Sequence, residues 1–360
     1  MAWMSAGRGS RQWVTSHPTA RMDLEGHGGQ DFRITIATYL GAECPVSREL
    51  AQAGLTIAGP TAADAGTPVD VHGFAVSRST CLPGGSHTAC HDTIAAELFD
   101  ICDEAGLGTR CEPRDIFSRV LPTAALVAAP GQGRPAIVPD ATMRVAMPVA
   151  LTGAAQRPSR DRLPLRGLLF DVKTIHAGTG RYGTARARDR QSGAVELRAQ
   201  DVHPAYLRHA QRLDRQFHPQ RSPPVTLTPG PVEQIVLDHT TTRGLVFGGY
   251  AEWSWDVEWL LEEAARTAAR RDWRRMGMHS EQAAYGILVA SYRRRMGVTA
   301  AREMARHRWR HSRLVGLTRA QLTAIGREAP LQRIQALRAT EHAEHTIEVA
   351  QAHFMPAFAG

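Results

Sequence analysis

The sequence predicts an α/β fold: a core running helix, strand, strand, strand, helix, strand, followed by an Arg-rich helical extension. Three observations predict it. Ile94, Leu98, Ile101, Cys102 and Ala105 recur at helical spacing, and an apolar strand pattern fills 167–175. Residues 266–313 hold thirteen Arg against three acids, Asp272, Glu281 and Glu303.

Taken in order, residues 1–80 alternate short apolar runs with Gly, Pro and Ala, and give only a short helix or strand at 32–40. The first core helix spans 92–105 and ends at Gly106. A strand at 110–117 precedes a Pro-, Ala- and Gly-rich connection to Arg134. Strands at 136–149 and 167–175 form a hairpin, with the Pro- and Arg-rich segment 153–166 at its tip. A helix covers 194–217, where Pro204 either breaks it or starts another, and a strand follows at 243–250.

Ser254 is placed to cap the next helix, whose buried stripe is Val257, Leu260, Leu261, Ala264 and Ala268. Two further helices are expected at 281–295 and 298–311, and another near 330–352. The division expected is 1–86 as an ill-defined N-terminal region, 87–252 as the core, 253–316 as the helical extension and 317–360 as a tail.

Length and composition bound the function. With 360 residues and 43% hydrophobic content the chain can bury a sizeable core. It contains no apolar run of about 18 residues, and Arg and Ser interrupt residues 1–15 where a signal peptide keeps an apolar centre. The expectation is an intracellular protein, nuclear if eukaryotic, with no membrane partner. Cysteines at 44, 81, 90, 102 and 111 are odd in number, which argues for free thiols or metal ligands over disulfides. A net charge of +8 suggests an anionic partner.

Of 43 basic residues, 42 are Arg and the only Lys is Lys173. Arg keeps its proton near neutral pH, whereas a Lys can be shifted toward that range when buried. Lys173 lies in Leu168-Leu169-Phe170-Asp171-Val172-Lys173-Thr174, where a period of two puts Asp171 and Lys173 on one strand face and Leu168, Phe170 and Val172 on the other. Hairpin pairing brings Asp140 of Pro139-Asp140 alongside. Two carboxylates and the Val172 carbonyl are the oxygen ligands that Mg²⁺ (or Mn²⁺) requires. Such an ion activates water and neutralises charge on a phosphate, with Lys173 positioning or deprotonating the nucleophile. The chemistry indicated is phosphodiester hydrolysis; the competing reading is an exposed Asp171–Lys173 pair on an edge strand.

Pro139-Asp140, thirty intervening residues, then Asp171-Val172-Lys173 resembles the Pro-Asp...(Asp/Glu)-x-Lys signature of restriction-like nucleases. The order of elements is also similar to that family's core, α-β-β-β-α-β. The resemblance implies an acid on the first helix as a further catalytic and metal-binding residue, and Glu97 matches best; Tyr206, His209 and Arg212 on the later helix are placed to reach phosphate. Over roughly residues 8–316 the chain resembles the C-terminal region of non-LTR retrotransposon polyproteins. That group carries a basic residue and then His at the start of the first helix; here Cys90 precedes His91, and the loop before Asp171 is longer than usual. It also carries a zinc knuckle, for which Cys44, His72, Cys81, His87 and Cys90 are the candidates. With no Cys-x-x-Cys and a long gap from 44 to 72, the knuckle reads as degenerate or absent.

The function so implied is a metal-dependent DNA endonuclease without a small-molecule cofactor, derived from a mobile element. Arg293, Arg294, Arg295, Arg302, Arg306 and Arg308, interspersed with Tyr292, His307 and Trp309, are candidate DNA contacts because few local acids can pair with them. The alternative is a catalytically inactive nucleic-acid-binding protein that keeps the fold. A scaffold using Trp253, Trp255 and Trp259 is weaker than a buried aromatic cluster.

Overall fold

The computed structural model describes residues 29–57, 66–79, 86–122, 137–143, 167–177, 193–221, 228–239 and 241–317, with 9, 12–14, 182, 321, 322 and 324. Numbered along the chain, the elements are α1 (Gln30–Leu40), α2 (Pro45–Gln52), β1 (Thr56–Ile57), β2 (Thr67–Pro68), α3 (Phe74–Arg78), α4 (Ser86–Ala105) and β3 (Arg110–Cys111). There follow β4 (Ala141–Met143), β5 (Leu168–Thr174), α5 (Gly193–Gln200), α6 (Val202–Phe217), α7 (Pro231–Asp238), β6 (Arg243–Phe247), α8 (Trp255–Asp272) and α9 (Glu281–Ser312). The fold class is α/β. No helix among the described residues is long and apolar enough to cross a membrane.

By its contacts the chain divides into two compact units, Met1–Ala42 with Cys90–Arg306, and Glu43–Ala89 with His307–Gly360, a division that cuts across the boundaries read from the sequence. The first holds a four-stranded sheet in the order β3-β4-β5-β6. β5 pairs antiparallel with β4, Ala141 opposite Phe170, and parallel with β6, Lys173 opposite Val246. Leu168, Phe170, Val172, Leu245 and Phe247 share one core with Ile94 and Leu98 of α4, Leu260 and Leu261 of α8 and Met296 of α9. On the other side, Val246 packs with Ala194 and Val195 of α5. α8 and α9 are therefore parts of the main core, not an appendage to it.

The element boundaries differ from expectation for local reasons. Pro113, which lacks an amide proton, stops β3 after two residues, and a 3-10 turn at Arg114–Phe117 replaces the rest of the expected strand. Of 136–149, residues 141–143 form β4, and the segments 144–149, 153–166 and 330–352 lie outside the described residues. The helix expected at 194–217 is two, meeting at Asp201, with Pro204 in the first turn of α6 where an amide proton has no intrahelical partner. Ser254 stands at the N-cap of α8, but its hydroxyl donates to the Gly244 carbonyl at 3.0 Å and accepts the Val246 amide at 3.1 Å, tying the helix start to β6. The two helices expected at 281–311 are one, α9. Trp253 and Trp259 are buried and Trp255 is exposed.

In the second unit, Ile57, Val69, Val76 and Val315 form a small core, against which Leu50, Leu55 and Leu314 pack.

Candidate active site

β5 alternates as its sequence requires: Val172 is wholly buried in the core, and Asp171 on the opposite face meets α6. The β4–β5 register carries Asp140, the residue before β4, to the same place. Its Oδ2 accepts the Val172 amide at 2.6 Å. Its carbonyl accepts the Glu112 amide at 2.9 Å, and Glu112 adopts φ 40°, an uncommon backbone for a residue with a side chain, beside the site.

Asp171 lies 3% exposed. Its Oδ2 is 2.5 Å from Lys173 Nζ, and Oδ1 accepts the Tyr206 hydroxyl at 2.9 Å. Burial is the strongest influence on the Asp171 carboxyl and, helped by the charge of Asp140, holds its pKa above the usual range despite Lys173 and Tyr206. Burial also pushes Asp140 upward, but the hydrogen bond and charge of His91, the Lys173 ammonium and the Val172 amide outweigh it and hold Asp140 below the usual range. Two carboxylates that repel one another in a desolvated pocket are a place where a cation is stabilised.

His91, one turn before Ile94 on α4, completes the cluster. Its Nε2 lies 3.0 Å from the Val172 carbonyl and 3.3 Å from Asp140 Oδ2, and its Nδ1 lies 3.0 Å from Asp92 Oδ1. Burial disfavours the imidazolium, but the hydrogen bonds and charges of Asp140 and Asp92 prevail, raising its pKa to about 9. The structure thus brings together Asp140, Asp171, Val172 and Lys173, and adds His91 and Tyr206.

It does not bring Glu97 there. Glu97 lies six residues beyond His91, off its helical face, and accepts Arg295 Nε at 2.8 Å. The residue of the first helix that reaches Asp140 is His91. The Cys90-His91-Asp92 start of that helix carried the signal, but only the fold shows the imidazole meeting the Val172 carbonyl. His209 is half-buried and Arg212 exposed on α6.

The Arg cluster is largely spoken for, which corrects the expectation that too few acids can pair with it. Arg293 bonds Glu258 and Glu262, Arg295 bonds Glu97 and Glu104, and Arg302 lies 3.4 Å from Glu303. Arg306 bonds Asp31 and Glu303, and Arg308 is buried, donating to Ser77 Oγ at 2.9 Å. Of the six, Arg294 alone makes neither an ion pair nor a side-chain hydrogen bond among the described residues. Tyr292 and His307, expected to stack on bases, are buried. More exposed cations lie at the end of α8, where Arg270 pairs with Glu281, Arg271 and Arg275 share Asp272, and Arg274 lies over the Trp273 ring.

Of the zinc-knuckle candidates, Cys44 is buried, Cys90 is buried in the apolar core of its unit, and His72 stacks on Phe74 at 5.5 Å. Cys81 lies outside the described residues. No protein-family model, curated protein or solved structure matches the chain.

Proposed function

We propose that the chain is a metal-dependent endonuclease that hydrolyses phosphodiester bonds in DNA, built on a restriction-like core and descended from a mobile element. The observation that carries the reading is the meeting of two buried aspartates from adjoining strands at the Val172 peptide, with the chain's only lysine on Asp171. The sheet supports it too, since the antiparallel β4–β5 pair and parallel β5–β6 pair between helices follow the order that the signature implies.

The donor set fits a hard divalent cation: the carboxylates of Asp140 and Asp171 and the Val172 carbonyl would hold Mg²⁺ or Mn²⁺. When bound, that ion supplies Lewis acidity to a phosphate and lowers the pKa of its water. The protein's own groups do the positioning. Tyr206 and Lys173 grip opposite oxygens of Asp171 and fix its orientation. The partly exposed Lys173 ammonium is also placed to donate to a phosphate oxygen or to orient the attacking water. His91 Nε2–H, against both Asp140 and the Val172 carbonyl, holds these two acceptors in place beside the site. DNA as the substrate rests on the net charge of +8 and the exposed Arg at the end of α8; in a eukaryote the nucleus is where such a substrate lies.

One observation favours the alternative, a catalytically inactive nucleic-acid-binding protein: the His91 imidazolium already balances Asp140. Nicking of supercoiled plasmid separates the two. With Mn²⁺ or Mg²⁺ the wild type should cut, and Asp171→Ala and Lys173→Ala should each slow it about 100-fold or more. Retained DNA binding with no cutting supports the inactive form, and equal cutting by all three proteins removes the site from the chemistry.

A further inference from the structure

Beyond Lys173, where β5 and β6 end side by side, the chain gathers three features that are each unfavourable on their own. Glu252 is wholly buried, and no cation among the described residues meets its carboxyl. Burial holds that carboxyl above the usual range, and a buried acid without a counter-charge is costly. Ala251 adopts φ 60°, a backbone that residues with a side chain rarely take. In the same turn Gly248 and Gly249 leave no room for a side chain. A Cβ on the first would run into the Glu252 carboxyl, and one on the second into the Ala177 backbone nitrogen. Local costs of this kind gather where a site needs a fixed geometry.

The group they hold is Tyr182. Its hydroxyl donates to Glu252 Oε1 and accepts the Gly249 amide at 2.9 Å, while Glu252 Oε2 accepts the Tyr250 amide at 2.9 Å. The Tyr182 ring meets the Tyr250 ring edge to face, with centroids 5.0 Å apart, and packs against the cluster of Ile175, Val195 and Val246. That cluster borders the stem of Lys173: Ile175 lies two residues further along the same strand face, and Val246 stands opposite Lys173 on β6. The stretch after Lys173 is tied down three times in succession. The Ile175 amide bonds the Phe247 carbonyl at 2.9 Å, Ala177 lies tight on Gly249, and the Tyr182 hydroxyl closes on Gly249 and Glu252. A lysine carries its charge on a flexible four-carbon stem, so the walls beside the stem decide where the ammonium stands.

We propose that Tyr182 and Glu252 act together as positioning residues for Lys173, a clasp that closes the end of β5 onto the β6–α8 turn and so fixes where the chain's only ammonium stands. What this takes from the nuclease reading is the use of Lys173 in the chemistry, since only there does a displaced ammonium change a rate. Neither residue bonds to Asp140, Asp171 or Lys173; both act through Ile175 and Val246. Tyr182→Phe keeps the ring but strands Glu252 Oε1 and the Gly249 amide. Glu252→Gln keeps the shape, but with its one oxygen taken by Tyr182 the new NH₂ cannot accept the Tyr250 amide. Either change loosens the wall beside the Lys173 stem, and a shift of about 1 Å is enough to slow a reaction on the order of 100-fold.

The test uses the full chain and the fact that Lys173 is its only lysine. Reductive methylation with ¹³C-formaldehyde labels Lys173 and the N-terminal amine, and Lys173→Arg tells the two NMR signals apart. The clasp predicts a wild-type Lys173 signal displaced from that of the urea-unfolded chain. Tyr182→Phe and Glu252→Gln, each checked for folding by circular dichroism, should move it toward the unfolded position. The double variant should move it no further than the larger single change, because the two groups act as one. On supercoiled plasmid with Mn²⁺ the same variants should lower kcat about tenfold or more and leave KM and Mn²⁺ affinity unchanged. A purely structural pair would lower the melting temperature and leave the signal and kcat of the folded variants where they were, and that result overturns the proposal. A wild-type signal already at the unfolded position overturns it even if neither variant folds. If the signal moves as stated but the wild type does not cut, the clasp stands and the nuclease reading fails.

Discussion

His91 and Asp140 form a charged pair whose value depends on pH. The His91 pKa rises from 6.5 to about 9 because Asp140 and Asp92 outweigh its burial. A group whose folded pKa is raised stabilises the fold fully below its unfolded pKa, and that stability is lost as the pH climbs through the folded one. In chelator, urea unfolding should therefore show wild type losing on the order of 3 kcal/mol between pH 6 and pH 9.5, counted once for the pair, and His91→Gln losing little. Tyr206→Phe removes one bond to Asp171 and should cost about 1 kcal/mol by the same measurement. Asp140, Asp171 and Lys173 were legible in the sequence because a period of two and a hairpin register are local rules. His91 stood out only by its place at the start of the first helix, and its role was hidden because its partners Asp140 and Val172 lie 49 and 81 residues away.

Among the elements, the sequence conveyed α4, β5, β6 and α8 well, since each buries a continuous apolar stripe. The break expected between 295 and 298 contains Gly297, yet α9 runs through it. A Cβ at Gly297 would lie 2.7 Å from Gln12 Cβ and 3.1 Å from the Trp13 amide nitrogen, so the glycine is there to admit the N-terminal segment. In an open helix Gly→Ala stabilises by about 1 kcal/mol. Gly297→Ala should instead lower the melting temperature, and a rise would show that residues 12 and 13 do not pack there.

For the molecule as a whole, the Arg excess is first a matter of internal pairing. The acids that meet Arg293, Arg295 and Arg306 come from Asp31, Glu97, Glu104, Glu258 and Glu262, far away in sequence, so a local count of charges could not find them. Arg295→Glu leaves Glu97 facing a like charge in a largely buried place and should cost about 2 kcal/mol or more in unfolding experiments. Arg274→Glu with Arg275→Glu should leave stability nearly unchanged and reduce both DNA affinity and its dependence on salt. The opposite pattern would return DNA contact to α9.

The central claim is that Asp140 and Asp171 hold one divalent ion at the Val172 peptide, and Mn²⁺ binding followed by electron paramagnetic resonance tests it most directly. The account predicts one Mn²⁺ bound by wild type at the aspartates, displaced by excess Mg²⁺, and lost in both Asp140→Asn and Asp171→Asn while the fold is kept. Undiminished Mn²⁺ binding by the two folded variants would contradict it.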